Sequence, residues 1–288
     1  MADSPATGMG ASDWASDFFG TLNEMPADAV TGIGGILEAM STLPAFRDAR
    51  QWVLRNLRLS QGASVIEAGS GNGASLADAL AIVGTNGRIA GIDPTLAFVD
   101  SARRRAAALG AANVRYEVGD IRAIAARDGE FDAVFCDKVL IHAGPAGAAL
   151  AEMARVTRAG GSIGAIEWLP FFAVSSTRPD AVDAFNAVFK RAVYDYFVSA
   201  NLARHFMAAG LTDVRTEAFL AHTDNLDAHP FWRAFIVHQM PMFVHVGLID
   251  EAVAQAFLAD IESLNARRAF SASFIVQAAV GMKTEGHR

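Results

Sequence analysis

The chain has 288 residues, 52% of them hydrophobic, and a formal net charge of −7. This length and composition predict one large domain, or a domain with a lid, around a sizeable buried core. Lys and Arg are scattered and charged residues interrupt every apolar run, so we expect neither a nucleic-acid partner nor a membrane span.

The first 57 residues predict a helical cover. Residues 1–20 are rich in Ala, Ser, Gly and Asp and are expected to form a loose leader. Apolar spacing from Ala27 to Leu57 is helical, with a break at Pro44 and a helix from Arg47 to Leu57. No Lys or Arg precedes Arg47, whereas secretory and mitochondrial targeting segments need early positive charge, so we expect a cytoplasmic protein.

Residues 58–167 alternate short apolar strands with helices, a pattern typical of a parallel sheet with crossover helices. The predicted strands are Ser64–Glu67, Arg88–Asp93, Val114–Val118, Phe131–Cys136 and Ser162–Glu167. The predicted helices are Ser75–Val83, Leu96–Leu109 and Ala146–Thr157. We expect this part of the chain to bind a nucleoside cofactor at the carboxyl ends of the strands.

Residues 168–288 change in character and predict a helical, acceptor-binding lid that also contributes the last strands of the sheet. The pattern predicts helices over Asp180–Ala209 and over Phe231–Asn265 with a break at Pro241, and strands over Asp213–Phe219 and Ser271–Gly281. Two aromatic-rich segments, Phe185–Phe197 and Phe231–Gly247, are interpreted either as core packing or as the wall of a lipophilic pocket.

A glycine-rich motif, EAGSGNG at 67–73, ends the first strand and opens a helix. Glycines let the backbone turn sharply against a ligand, and a helix N-terminus offers free N–H groups. Gly69, Gly71 and Ala74 also fit the dinucleotide fingerprint GxGxxG/A. The Glu67 carboxylate would repel a pyrophosphate but suits an ammonium group, which favours S-adenosylmethionine over a dinucleotide.

Two later strands end in acidic residues that such a ligand needs. Asp93 ends the second strand, where a carboxylate can accept both ribose hydroxyls of either kind of cofactor. Asp120 and Ile121 follow the third strand, where they can accept the adenine amine and pack against the ring. A dinucleotide fingerprint does not require this second pair.

Together the motifs EAGSGNG, GIDP, VGDI, FDAVFCDKVLIH and EMARVTRAGG resemble those of class I methyltransferases, nearest to the ubiquinone/menaquinone-biosynthesis type and its small-molecule relatives. The resemblance covers Val65 to Glu167 and extends to the final strand. It implies an α/β, Rossmann-like three-layer sandwich with a mostly parallel, seven-stranded sheet. It also implies S-adenosylmethionine as cofactor, bound by Glu67, Gly69, Ser70, Gly71, Gly73, Asp93, Pro94, Asp120, Ile121, Cys136 and Asp137.

Among the histidines, His142 has the best geometric claim to the active site, because it follows the fourth strand at the ligand-binding edge. We predict it as the candidate catalytic base, although histidines at this place are more often structural. His238 and His245 have Pro241 between them, which spoils their helical register, and the single cysteine, Cys136, excludes a multi-cysteine site. No bound metal is expected.

The sequence thus predicts a methyltransferase that transfers a methyl group to O, C or N of a small, lipophilic acceptor. Two alternatives stay open: the same fold used for a cyclisation or rearrangement, and a nicotinamide-dependent oxidoreductase. No TyrxxxLys pair follows the fifth strand to support the latter. We expect the protein to act on a small-molecule acceptor as a monomer or a homodimer.

Overall fold

The computed structural model describes Phe19 and residues 21–284. The predicted leader at 1–20 lies, apart from Phe19, outside the described residues. Eight strands form one sheet: β1 (Ser64–Ala68), β2 (Arg88–Asp93), β3 (Val114–Val118), β4 (Phe131–Asp137), β5 (Thr157–Trp168), β6 (Ala173–Val174), β7 (Leu211–Thr223) and β8 (Ala272–Lys283).

The sheet order is β3-β2-β1-β4-β5-β8-β6, and β7 also pairs with β8. The pairs from β3 to β5 are parallel, whereas β8 runs antiparallel to each of its neighbours. This arrangement confirms the predicted Rossmann-like, mostly parallel α/β fold. The eighth strand is β6, which is only two residues long and follows β5 along the same edge of β8.

Helices cover the sheet. They are α1 (Ala27–Thr42), α2 (Pro44–Asn56), α3 (Leu76–Val83), α4 (Leu96–Ala108), α5 (Ala146–Val156), α6 (Pro179–Ala192), α7 (Leu202–Ala208), α8 (Pro230–Arg233), α9 (Met240–His245) and α10 (Glu251–Ala266). One turn of π-helix, Ala234–His238, follows α8 directly and precedes α9.

The central strands are buried on both faces, as expected of parallel strands between two helical layers. Helix α2 begins with Pro44 at its first turn and packs an apolar stripe on the sheet, including Phe46, Val53 and Leu54. Gly164 of β5 lies under this helix, because an added Cβ would stand 2.5 Å from a methyl group of Val53.

Beyond β5 the predicted elements are right in kind but wrong in extent. The stretch predicted as helical over Asp180–Ala209 holds two α-helices, α6 and α7, because residues 193–198 leave the helical path; a 3-10 turn, Ser199–Asn201, leads into α7. The helix predicted over Phe231–Asn265 is four shorter helical segments. Pro241 does not mark the break, since it occupies the first turn of α9, where its missing N–H costs nothing.

The aromatic-rich segments pack mainly into the core of the lid. Rings of Trp168, Phe172, Phe189, Phe235 and Phe274 lie with centroids 5.0–5.9 Å apart in a continuous cluster. All five side chains are buried. The exposed aromatics of these segments are Tyr194 and Phe197.

Within the part of the chain that the structure describes, no single helix is long and apolar enough to cross a bilayer. Helices α1 and α2 meet the length and composition criteria only as a pair, and they are bent by 69° at their junction.

Candidate functional site

One cleft opens at the carboxyl ends of β1, β2, β3 and β4, under the N-terminal cover. It encloses about 970 Å³, counting the part open to solvent. It brings together most of the predicted site residues: Glu67, Gly69, Ser70, Gly71, Asp93, Pro94, Asp120, Ile121, Asp137 and His142. The predicted residues that do not line the cleft are Gly73 and Cys136.

The glycine loop is held close to its neighbours. The N–H groups of Gly69 and Ser70 both donate to the Ile92 carbonyl at 2.8 Å. Gly69 has φ +81°, and a Cβ there would lie 2.3 Å from Cγ2 of Val139. Gly71 also has positive φ, but an added Cβ would meet nothing within 4 Å. Both glycines allow a backbone conformation with positive φ. Gly69 also allows the loop to approach Val139 closely, which Gly71 does not.

Gly73 lies behind the loop instead of facing the cleft. An added Cβ would stand 3.1 Å from both the Ala102 Cβ and the Tyr116 hydroxyl, so this glycine allows the loop to pack against α4 and β3. Cys136 is fully buried, and burial raises the pKa of its thiol. Its side chain therefore lies in the core as a neutral thiol, while Asp137 next to it reaches the cleft.

Glu67 is the penultimate residue of β1; it is buried and accepts a hydrogen bond from the Ser75 hydroxyl. The pKa of this carboxyl is raised to about 8, mainly by burial; the hydrogen bond from Ser75 opposes the shift and the Asp137 carboxylate adds to it. The group is then mostly neutral at pH 7. A neutral Glu67 repels a pyrophosphate less than a carboxylate would, so its charge discriminates less against a dinucleotide than the sequence predicted.

Asp93 is the last residue of β2, and its side chain connects this strand to the glycine loop. Its Oδ2 accepts from the Gly71 N–H and its Oδ1 from the Thr95 N–H, both at 2.9 Å. Burial raises its pKa, and the two backbone N–H groups oppose that shift. Each oxygen keeps a further lone pair for a ligand hydroxyl.

Asp120 is paired within the described structure, which the sequence reasoning did not anticipate. The Arg122 guanidinium donates to both carboxylate oxygens, at 3.0 Å from Nε and 2.6 Å from Nη2, and these bonds lower the pKa of Asp120. The two residues are separated by one position in the sequence, so the spacing DxR was the available signal. Both side chains line the cleft beside Ile121.

A buried charge network closes the other end of the cleft. Asp137 at the end of β4 pairs with Arg50 at 3.3 Å and with Lys138 Nζ at 2.7 Å. Arg50 also bonds to Asp78 at 2.9 Å and to the Ser41 carbonyl at 3.0 Å. Arg50 was missed from the sequence because it lies in the cover, 87 residues from Asp137.

His142 forms part of the cleft wall. Its ring meets Phe19 edge-on with centroids 4.9 Å apart, and its Nδ1 is buried with no hydrogen-bond partner among the described residues. Burial lowers its pKa to about 4, so the imidazole is neutral at pH 7. A neutral imidazole with an unused nitrogen can accept a proton.

The cover forms the roof with Phe19, Leu37 and Ser41. Asn23 ties it to the loop after β2, donating to the Pro94 carbonyl at 2.8 Å and accepting from the Leu96 N–H at 2.9 Å. Glu38 ties α1 to the glycine loop and to α4, accepting from Asn72 and from Arg105, each at 2.7 Å. The roof is thus bonded directly to the elements that it covers.

Residues 65–161 match the family model of a methyltransferase domain. Over 127 residues the chain is 36% identical to an uncharacterized 37.1 kDa protein in transposon TN4556 of Streptomyces fradiae, a match that covers 44% of this chain and 36% of that protein. The chain thus spans about a third of the length of this curated relative.

Among solved structures, the YcgJ protein of Bacillus subtilis is 16% identical with a TM-score of 0.59, covering 83% of this chain and all of that one. Phosphoethanolamine N-methyltransferase 2 of Haemonchus contortus, solved with phosphomonomethylethanolamine and S-adenosylhomocysteine, is 13% identical with a TM-score of 0.58. That likeness covers 96% of this chain and 61% of the other. The chain thus contains a stretch that matches a methyltransferase domain, as its motifs predict, and it shares its fold with these solved structures.

Proposed function

We propose that the domain formed by residues 65–161 makes the whole chain a methyltransferase, which transfers the methyl group of S-adenosylmethionine to a small, lipophilic acceptor. One observation carries this proposal. Glu67, Asp93 and Asp120 follow three neighbouring parallel strands and meet in a single cleft around one glycine loop. A dinucleotide site has no requirement for the third of these carboxyl groups.

The groups that line the cleft suit the chemistry of the cofactor. Asp93 would hold the ribose hydroxyls, and Asp120 with Ile121 would hold the adenine. The Ser70 hydroxyl, which is buried in the cleft wall and has no partner among the described residues, is available to a ligand. Asp137 and Lys138 offer one anion and one cation at the opposite end, matching an amino-acid group that carries both charges.

When bound, S-adenosylmethionine supplies a methyl group on a positively charged sulfur, which a nucleophile attacks in line. The protein has to align the acceptor and exclude water. Phe19 and Leu37 provide an apolar roof for that purpose, and Val139 and Ala143 continue it on the wall next to His142. Where the acceptor must lose a proton, the neutral His142 side chain accepts it.

We also propose that three parts of the chain have separate roles. Residues 1–57 cover the cleft, 58–167 bind the cofactor, and 168–288 hold the acceptor. The acceptor is a small molecule, since the protein is acidic overall and its Lys and Arg residues form no basic stripe. O-, C- or N-methylation all use this arrangement, and we place the reaction in the cytoplasm.

Calorimetric titration tests the proposal with S-adenosylmethionine, S-adenosylhomocysteine and NADH as ligands. The native chain is compared with Asp93→Ala and Glu67→Ala, and with Asp100→Ala as the control, because Asp100 is exposed on α4. We expect both adenosyl ligands to bind and Asp93→Ala to weaken them roughly ten- to hundredfold, the cost of lost charged hydrogen bonds. Binding of NADH alone would refute the proposal.

A further inference from the structure

Glu167 is a buried acid at the carboxyl end of β5, just outside the cleft. Its Oε1 accepts two hydrogen bonds from consecutive backbone N–H groups, those of Val139 at 2.9 Å and Leu140 at 2.6 Å. Its side chain is fully buried. The carboxyl group therefore fixes the backbone that follows β4.

That backbone carries the cleft wall. Lys138 adopts φ +64°, and its N–H donates to the Ile166 carbonyl at 2.7 Å. The His142 N–H donates to the Val139 carbonyl at 2.9 Å. A positive φ is an unfavourable conformation for lysine, and it persists only where the surroundings impose it. The two bonds to Glu167 directly after Lys138 help impose it.

The second oxygen of Glu167 faces a different situation. Oε2 is buried and has no hydrogen-bond partner among the described residues, and the same holds for Oε1 of Gln277. The two residues are directly opposite each other on the antiparallel pair β5 and β8, so their side chains leave the same face of the sheet. Opposed residues have Cβ atoms about 4.5–5.5 Å apart, which allows their side chains to interact.

With the Gln277 amide oriented as in the structure, Oε2 of Glu167 and Oε1 of Gln277 are both buried acceptors, and only a proton on one of them lets the two hydrogen-bond to each other. An amide oxygen cannot carry it at neutral pH, whereas a carboxyl group can. Leaving an ionised oxygen buried without a donor costs far more than burying a neutral carboxylic acid that donates. The geometry therefore favours a proton on Oε2.

We propose that Glu167 is a positioning residue that holds the cleft wall as a neutral carboxylic acid, with Oε1 accepting from the wall and the Oε2 hydroxyl donating to Gln277 Oε1. The residue acts through Lys138 and His142 and does not itself reach the cleft.

The electrostatic surroundings agree with the neutral form. Burial raises the pKa of Glu167 to about 8; the Leu140 N–H opposes this, the Asp137 carboxylate adds to it, and the Val139 N–H and Lys138 oppose it. One more acidic residue, Asp195, lies on the segment that packs against the loop after β4. Its N–H donates to the Ile141 carbonyl at 3.2 Å.

The free energy of unfolding should depend on pH, because the pKa of Glu167 is about 8 in the folded chain and 4.5 is its ordinary value. The folded chain holds a proton that the unfolded chain releases between these values. This contribution to stability is complete at acidic pH and is lost as pH rises through 8. Glu167→Gln keeps a neutral donor and acceptor at the site and removes this dependence.

The first test measures the free energy of unfolding by denaturant at several pH values from 6 to 9. The full chain is compared with Glu167→Gln and with Glu217→Gln, an exposed glutamate on β7 opposite β8. We expect a shallower fall with pH for Glu167→Gln and an unchanged fall for Glu217→Gln. Equal slopes for all three proteins would overturn the proposal.

The second test uses infrared spectroscopy of the native chain and needs no variant to bind a ligand. We expect a protonated-carboxyl band at pH 7 that weakens at pH 9, is reduced in Glu167→Gln and shifts in Gln277→Leu, which lacks the acceptor. If Glu167 were instead ionised and accepted from a flipped Gln277 amide, Glu167→Gln would leave the band intact. That result would overturn the proposal even where a variant is unstable.

The third test follows the cleft and rests on the proposed function. At pH 9 about nine-tenths of a group with a pKa of 8 is ionised, so we expect native affinity for S-adenosylhomocysteine to fall about tenfold relative to Glu167→Gln. Equal affinities at pH 9 would overturn the positioning role. Absence of all binding would refute the proposed function and leave the first two tests to decide the state of Glu167.

Discussion

Replacing Gly69 with alanine tests two requirements at this position of the glycine loop, a backbone with positive φ and a close approach to Val139. At φ +81° an alanine pays roughly 1–2 kcal/mol for the left-handed conformation. Its Cβ would also stand 2.3 Å from Cγ2 and 2.9 Å from Cγ1 of Val139. Relieving such a contact by shifting the wall costs about 1–3 kcal/mol. We therefore expect Gly69→Ala to lower the free energy of unfolding by about 2–5 kcal/mol in total.

Gly71→Ala is the matched control, because Gly71 also has positive φ but an added Cβ meets nothing within 4 Å. It should cost only the conformational part, about 1–2 kcal/mol. Denaturant unfolding measures both values, and titration with S-adenosylhomocysteine reports the state of the loop. Val139→Ala removes the two nearest methyl groups, so the Gly69→Ala/Val139→Ala pair should show a favourable coupling of about 0.5–3 kcal/mol. Equal destabilisation by the two single glycine variants would refute the reasoning.

Two further predictions concern the ion pair of Arg50 and the titration of His142. Arg50→Met should cost about 3–5 kcal/mol of unfolding free energy, because it breaks the buried pair with Asp137 and also the bonds of Arg50 to Asp78 and the Ser41 carbonyl. Arg58→Ala, which breaks an exposed pair with Asp213, should cost under about 1 kcal/mol, and similar losses in the two variants would contradict this reasoning. The folded pKa of His142 is about 4 against 6.5, so unfolding free energy should rise as pH increases from 4 to 6.5, and His142→Phe should flatten that rise. An unchanged pH curve in this variant would place the titrating group elsewhere.

The sequence predicted which carboxyl groups come together in the cleft, because the signals for them are local. Each carboxyl group follows a strand whose apolar run is short and recognisable, and parallel strands bring their carboxyl ends together at one edge. Glu67, Asp93 and Asp120 were located in this way. Which of them carries charge was not predictable, because the ionisation of Glu67 depends on burial and on Asp137, 70 positions away in the chain.

What the sequence did not predict depends on long-range packing. Arg50 pairs with Asp137 across 87 positions, and nothing in the spacing of either residue indicates the other. The lid was predicted helical in the right places, but its helices are more numerous and shorter than predicted. Residues 193–198 leave the helical path, and the N–H groups of Tyr194 and Asp195 bond to the wall at Ile141. The resemblance located Lys138 and His142, but the cover that roofs them had no motif.

The roof of the cleft has a kinetic consequence. Asn23 and Glu38 tie the cover to the loop after β2, to the glycine loop and to α4. Under the proposed function, a spent nucleoside would leave past this cover, and these bonds would open and form again in each round of transfer. We expect exchange of the used cofactor, and not the displacement at carbon, nitrogen or oxygen, to govern how fast the protein turns over.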